Sequence, residues 1–548
     1  MNAVIKQRVF LLLCLLFSTL IFSQSDLKLP SNADPAVADE LFSNNNFTEA
    51  LRNYLALLKK EPKNEKYIYR TGICYLNSNI NKAKAISYLE TSSKSDKSDH
   101  DTWFYLGKAY HYAGRFDDAL KAFTNYKESG KGSSDNRKQV DRYIQYCSNG
   151  KELVKFPLNV SFKNLGKNVN SPYPDYQAFV PEDESYLVFT TRRKEGGGQQ
   201  GPDGTYGASV FVSKVTNGEF GKAKSIGPPI NTGDGDEEVV GLSLSGDIMI
   251  LVYDNAVSFA DLFISYADKK MNFKKAEALD KNINSSAQEI AASISPDGMT
   301  LYFTSTRPGG YGGSDLYLSH KLPNGSWALA QNLGPEINTA DDEDFPNISP
   351  DGETLYFSST GHTSMGGYDI FKASWSELAH KWTNIKNIGY PINTPDDDMN
   401  LRLSANGKYG YIAALKEGGF GDLDIYRVDF NDLEPKYSLI KGCLLSADSS
   451  EKLNYGKVQI AVTDMKSKDT YGNYTPNALS GKYVMILPPG EYTINIDIAG
   501  FEKYSEKLVV ADKVGSRQEI EKNIVVLPTG YIKQPKAVVS PGTKPKIK

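Results

Sequence analysis

Two stretches decide the fold: Ile294-Ser295-Pro296-Asp297-Gly298-Met299-Thr300-Leu301-Tyr302-Phe303 and, 54 residues on, Ile348-Ser349-Pro350-Asp351-Gly352-Glu353-Thr354-Leu355-Tyr356-Phe357. Pro presets the backbone angle of a turn, Asp bonds back onto its own main chain, and Gly accepts the left-handed conformation, so Ser-Pro-Asp-Gly reverses the chain tightly. The aromatic run after it reads as a strand. Outward from this core the same grammar recurs. Ile/Val-Asn anchors at Asn170, Asn231, Asn284, Asn338 and Asn393 lie 61, 53, 54 and 55 residues apart. Before each anchor stands a short strand, usually closed by Gly (Phe162–Gly166, Ser225–Gly227, Asn332–Gly334, Asn387–Gly389). After it come an acidic or polar loop, a strand, the turn, the aromatic strand, and a Gly-rich loop leading to Asp315, Asp369 or Asp424.

Four short strands per repeat of this length make a β-propeller blade. Inner triplets start near Gln177, Val239, Ile290, Phe345 and Leu401, whereas the first fourth-strand copy, Leu158–Leu165, precedes all of them. The last triplet, ending at Asp424-Ile425-Tyr426-Arg427-Val428, has no fourth strand after it. The early strand is therefore expected to complete the last blade, giving a five-bladed β-propeller over 156–430 with no open edge.

The neighbouring segments follow other periods. From 30 to 150 the pattern is helical, and alignment on Ala50, Ala85 and Ala119 gives spacings of 35 and 34 residues. A repeat of 34 with Ala and Gly where paired helices cross is the signature of a tetratricopeptide (TPR) solenoid. Val140, Tyr143, Ile144 and Cys147 share one face of a segment that reads as the solenoid cap. From 436 to 528, Val458–Thr463, Ser480–Leu487 and Glu491–Ile498 alternate like half-buried strands around Pro488-Pro489-Gly490, which predicts a small antiparallel β-sandwich. The tail 530–548, with five Lys and no acid, is expected to be disordered. At the other end, Lys6 and Arg8 before an apolar run from Val9 to Phe22 read as a secretory signal peptide over 1–23.

Composition narrows the function. The chain of 548 residues carries 62 basic and 66 acidic side chains, a net of −4, which offers no chain-wide nucleic-acid footprint. Removing 1–23 deletes two basic residues and leaves 60 − 66 = −6. Four cysteines exclude a disulfide scaffold; Cys14 falls in the signal core, and Cys74, Cys147 and Cys443 read as buried thiols, a Cys74–Cys147 bridge being the alternative. No G-x-S-x-G follows the propeller, and no His follows His380, so a serine-hydrolase domain is not expected. The acidic clusters Asp234–Glu238, Asp341–Asp344 and Asp396–Asp398 could hold Ca²⁺ through oxygen ligands. Their repeated position favours loop capping, and neither a metal nor a cofactor is expected. Asp315, Asp369 and Asp424 are expected to bond backbone amides between blades.

The Ser-Pro-Asp-Gly blades resemble TolB-like (PD40-type, WD40-like) propeller repeats, and Gly481-Lys482-Tyr483 with Leu487-Pro488-Pro489-Gly490-Glu491-Tyr492 and Gly500-Phe501 resembles a carboxypeptidase-regulatory-like domain. Their order after a TPR segment resembles OmpA-associated periplasmic proteins of Bacteroidota, one group of which assists type IX secretion and gliding. The resemblance implies a non-catalytic periplasmic scaffold, peripheral to the outer membrane, with an outer-membrane β-barrel partner. Such relatives usually end in an OmpA-like domain, and its absence here counts against direct peptidoglycan binding. The family's groove positions fall on Lys66, Tyr69, Ile73, Phe104, Lys108 and His111, expected to face a partner peptide. The alternative is a propeller that binds a glycan or metabolite, or, further off, an unrecognised hydrolase.

Overall fold

The computed structural model describes residues 27–268, 272–405, 407–431, 438–448, 450–510 and 519–531. The signal peptide read over 1–23 lies outside them, as does the tail from 532 onward. Two compact units divide at 432/433.

The first unit opens with helices α1 (Pro35–Ser43), α2 (Phe47–Lys60), α3 (Glu65–Asn77), α4 (Ala85–Ser92), α5 (Thr102–Tyr112), α6 (Phe116–Ser129) and α7 (Ser134–Leu153). Side chains of Asp34, Asn46, Asn64 and Ser133 accept backbone N–H groups at four of the N-termini, satisfying donors that the helix itself leaves free. Close crossing explains the small residues. A Cβ on Gly107 would come within 2.6 Å of the Phe123 ring, so α5 and α6 can approach only through a glycine.

Five antiparallel sheets follow. Blade 1 has Asp175–Phe179, Tyr186–Thr191 and Ser209–Thr216, with Glu219–Phe220 and Lys224–Ser225 both pairing on the third strand. Blade 2 has Gly235–Leu242, Ile248–Asn255, Asp261–Tyr266 and Glu277–Ala278. Blade 3 has Glu289–Ile294, Thr300–Ser305, Asp315–His320 and Gln331–Asn332. Blade 4 has Glu343–Ile348, Thr354–Ser359, Asp369–Ser376 and Lys381–Asn387. Blade 5 has Met399–Leu403, Tyr409–Ala414 and Asp424–Phe430, and its fourth strand is Val160–Asn164, paired from Val160↔Phe430 to Asn164↔Tyr426. The innermost strands neighbour one another in the cycle 1-2-3-4-5-1. The ring is closed by the first strand of the chain, so it has no free sheet edge at the seam.

The recurring asparagines are the joints. Each side-chain amide pairs twice with the third strand of the preceding blade, as a backbone amide would. Asn170 accepts from Ile425 N (2.9 Å) and donates to Ile425 O (3.0 Å). Asn231 does the same with Val210, Asn284 with Leu262, Asn338 with Leu316 and Asn393 with Ile370. Asp315, Asp369 and Asp424 act within a blade rather than between blades. Asp315 accepts from Tyr311 N and Asn332 Nδ2, Asp369 from Met365 N and Asn387 Nδ2, and Asp424 from Phe420 N and Asn164 Nδ2. The reason is distance: the Gly-rich loop folds back over the strand that the aspartate begins.

The second unit is a sandwich of two sheets. Ser438–Ser446 lies between Lys482–Leu487 and the pair Glu519–Glu521 and Ile524–Val526; the other sheet is Thr470–Tyr474, Ile460–Asp464, Gly490–Ile496 and Tyr504–Val510. It is not wholly antiparallel. Ser438–Ser446 pairs in parallel with both Glu519–Glu521 and Ile524–Val526, because the last strands run back along it in its own direction. Ile440, Leu444, Ile460, Val462, Met485, Tyr492 and Ile494 fill the core. Cys74 and Cys147 are buried free thiols, and burial pushes each up to about 12. Cys443 is also free but is only half-buried, since it stands on an outer sheet face.

Asn170→Ala strands the buried N–H of Ile425 at the seam, while the Ile425 carbonyl keeps its bond from Leu165 N (3.2 Å), and an unsatisfied buried group costs about 1–3 kcal/mol. Chemical denaturation of this variant is expected to show such a loss. Deleting 156–165 removes the whole seam strand and should cost far more; an unchanged midpoint would show that the ring does not depend on it.

Candidate functional site: the helical repeat seated on the propeller

The site is built on the ends of the inner strands. In every blade an acid at or near the start of the inner strand caps the loop after the asparagine. Asp175 accepts from Ser171 N (2.6 Å), Glu237 from Thr232 N (3.0 Å) and Glu289 from Ser285 N (2.9 Å). Glu343 accepts from Thr339 N (2.6 Å) and Asp398 from Thr394 N (2.5 Å). The acidic clusters thus hold loop backbone. Among the described residues no three His, Cys, Asp or Glu side chains converge on a metal-binding arrangement.

Blades 1 and 3 add an arginine. Arg193 pairs with Asp175 and donates to Val169 O (2.7 Å); Arg307 pairs with Glu289 (3.1 Å) and donates to Ile283 O (2.5 Å). At the same register blade 4 has Gly361. His362 Nε2 reaches the equivalent carbonyl, Ile337 O, at 2.9 Å, in a left-handed backbone conformation (φ 45°). Glu343 receives no arginine there, and burial raises its carboxyl to about 7 despite bonds from Thr339 and Ser359.

The blade 4 loop turns its carbonyls toward the helices. Arg142 of α7 donates to Thr360 O and pairs with Asp341 (3.1 Å). Tyr146 donates to the same carbonyl (2.8 Å), and Asn149 to Ser364 O (2.8 Å). His111 of α5 meets Met365 O at 2.7 Å, and Met365 is buried in the core formed with Phe104, Phe116 and Cys147. On blade 5 the contacts are Lys82 to Asp396 (2.6 Å) and Asn79 to Asp422 (2.6 Å). On blade 1 the Asn46 amide packs against Gly204, where a Cβ would come within 2.7 Å. The segment read as a solenoid cap is therefore the main bearing on the propeller. Apolar burial and charge-assisted bonds act together here.

This seating changes the expected groove. His111 is buried against the propeller, and burial lowers its pKa to about 4. Phe104 lies among Phe123, Tyr126 and Tyr143, and Ile73 is in the core of the first repeats. None of these three faces an open groove, because the helices turn that side to the propeller and to each other. Lys66 is exposed but paired with Asp39 (2.5 Å), and Tyr69 is half-buried beside Tyr105. Lys108 is half-buried, its ammonium 5.4 Å from the centre of the Tyr143 ring. Residues that the sequence reading missed are Arg142, Tyr146 and Asn149; the readable signal was Gly361-His362 where two other blades carry arginine.

At the turn end of the inner strands, Arg402 reaches across the ring. It donates to Asn347 Oδ1 (2.8 Å) on blade 4 and to Leu242 O (2.9 Å) on blade 2, and lies 5.7 Å from the Phe179 ring centre on blade 1. Burial pulls its pKa down to about 10. This side chain stoppers the channel at that end.

The tetratricopeptide repeat family model matches residues 79–134, from α4 through α6. A comparison with curated proteins returns no match. Among solved structures, TolB from Acinetobacter baumannii is similar at 13% identity over 55% of this chain and 71% of its own, with a TM-score of 0.31. The periplasmic gluconolactonase PpgL from Pseudomonas aeruginosa is similar at 10% identity over 62% and 87%, with a TM-score of 0.27. It is the strand pairing that defines the blades. The chain is a TPR solenoid followed by a five-bladed propeller and a β-sandwich.

Glu343 keeps a proton when folded that the unfolded chain releases near its ordinary value, so its contribution to stability falls as pH rises from about 4.5 to about 7. Glu343→Gln is expected to flatten the fall in melting temperature between pH 5 and pH 8, whereas Glu289→Gln, which strands Arg307, should destabilise at both. Arg142→Ala with Tyr146→Phe removes both donors to Thr360 O. Calorimetry should then resolve separate transitions for helices and propeller; a single unshifted transition would show that these bonds do not couple them.

Proposed function

We propose that the chain is a non-catalytic scaffold of the cell envelope, periplasmic and peripheral to the outer membrane, that holds a β-barrel partner and assists type IX secretion or gliding. The observation that carries this reading is the seating of one interaction fold on another, which fixes two recognition surfaces in one body. TPR domains generally serve protein–protein contact. The signal-peptide reading and the resemblance of the domain order support the compartment and the process, and the sandwich extends the series as a carboxypeptidase-regulatory-like module. Among the described residues no helix is long and apolar enough to cross a membrane.

The seating contacts engage blades 4, 5 and 1. On blade 2 the turn between the second and third strands carries Val257, 94% exposed, and Phe259, 66% exposed. Asn255 Oδ1 braces it by accepting from Val257 N (2.8 Å) and Ser258 N (3.0 Å). A rigid apolar tip on an acid-rich face is the form of a protein-binding hot spot, and we assign it to the barrel partner.

A photo-crosslinking amino acid at position 259 should join the protein to a membrane β-barrel in whole envelopes, and Val257→Asp with Phe259→Asp should abolish co-fractionation with membranes. Exposed substitutions shift stability by about 0.5 kcal/mol or less, so the melting temperature should hold. Crosslinking to no barrel protein, with fractionation unchanged, would reject the reading.

A further inference from the structure

The loop that seats the helices on blade 4 has a counterpart on blade 3, 54 residues earlier in the chain. On blade 4 the seat consists of Thr360 O, bonded by Arg142 and Tyr146, of Ser364 O, bonded by Asn149, and of the tip Met365, buried beneath the helices. The matching residues on blade 3 are Thr306, Gly310 and Tyr311. Their backbone is held in the same way. Gly361 N donates to Ser359 Oγ (2.8 Å) and Arg307 N to Ser305 Oγ (3.2 Å); Met365 N donates to Asp369 Oδ2 (2.9 Å) and Tyr311 N to Asp315 Oδ2 (2.6 Å). A peptide unit is planar and trans, so its carbonyl points opposite to its N–H. Fixing the N–H groups of Arg307 and Tyr311 therefore aims the carbonyls of Thr306 and Gly310 as those of Thr360 and Ser364 are aimed. Past the tip, Ser314 N donates to Asp342 Oδ1 and Tyr368 N to Asp397 Oδ1, both at 3.0 Å, which braces each loop on the next blade.

The two loops differ in what covers them. Among the described residues neither Thr306 O nor Gly310 O accepts a hydrogen bond, and Tyr311 is 51% exposed where Met365 is 0%. Arg307 does not occupy the place, because it bonds inward to Glu289 and Ile283 O. On blade 5 the equivalent tip, Phe420, is also exposed, but Asn79 already bonds that loop at Asp422. Blade 3 alone of these three has no helix on it.

We propose that the blade 3 loop is a second seat, which receives an α-helix of a partner protein. The chemistry of the occupant is read from α7. Arg142, Tyr146 and Asn149 stand at i, i+4 and i+7, one stripe of a helix, and each donates to a loop carbonyl. The partner helix carries donor side chains at that spacing and rests an apolar flank on Tyr311, whose ring has the apolar body and polar tip favoured at interfaces. The seat is continuous with the occupied one. Gly312 packs directly on the main chain of Asp341, the residue that pairs with Arg142, and leaves no room there for a Cβ. One position departs from the pattern: the counterpart of Asp341 is Ala287, each N–H being bonded to the hydroxyl two residues earlier. The first donor of the partner helix therefore need not be a cation. This seat is separate from the blade 2 tip and does not depend on the barrel reading.

The test uses the full chain and, as probe, a fluorescent peptide of sequence Ser134–Leu153 held helical by a staple on its far side. Anisotropy should show saturable binding at micromolar to submillimolar concentration, and a peptide with Arg142→Ala, Tyr146→Phe and Asn149→Ala should not bind. Tyr311→Asp in the full chain should weaken binding about 10-fold or more with the melting temperature unchanged. Ala287→Asp gives the peptide's arginine the carboxylate that it has on blade 4 and should tighten binding about threefold, a gain that damage to the fold cannot produce. Absence of binding at millimolar peptide overturns the proposal. So does binding indifferent to either substitution, which is what exchange with α7 on blade 4 would give.

Discussion

An asparagine side chain that bonds twice to a neighbouring strand holds the propeller together. Five such amides stitch each blade to the next, and the Asn170–Ile425 pair stitches the last blade to residues more than 250 positions earlier in the chain. Because every link is a short two-bond contact, buried in four of the five cases, the ring tolerates large variation in its outer strands. Blade 1 carries two short outer pieces, and blade 5 borrows its fourth strand from the start of the ring. What the links do not tolerate is loss of the amide, since nothing else can supply a donor and an acceptor at that spacing.

On this frame the blades have diverged at their loops. Blades 1 and 3 neutralise the inner-strand acid with an arginine of their own; blade 4 gives that place to Gly361-His362 and receives Arg142 from a helix at the neighbouring Asp341 instead. The exchange marks the blade that carries the helices. It also bears on why Glu343 is raised to about 7: the carboxyl is buried, and the arginine that pairs with the equivalent acid in blades 1 and 3 is replaced here.

Much of this was legible in the residues. The Ile/Val-Asn spacing located the joints, the surplus strand at Leu158–Leu165 pointed to the seam, and the 34-residue period gave the helical hairpins. The seat was not legible, because Arg142 and Tyr146 bind a main-chain carbonyl, and every residue has one. Helical periodicity found the faces bearing Ile73, Phe104 and His111 but could not say that the propeller or a neighbouring helix covers them. Strand alternation likewise carries no sign of direction, so the parallel pairing of Ser438–Ser446 went unread.

The seam also fixes how the molecule would bear tension. Val160 pairs with Phe430, so the two chain segments that leave the ring depart from the same end of one antiparallel strand pair. A pull applied through both would load its hydrogen bonds one after another, as a zipper is opened, rather than all together in shear. Left alone, that would be a weak joint. The preceding helix ends at Leu153 and is fastened to blade 4 by Arg142, Tyr146 and Asn149, so force arriving from the helices reaches blade 4 before it reaches the seam. The fastening therefore works as a strain relief, and the propeller can stay closed under loads that would peel its last strand away.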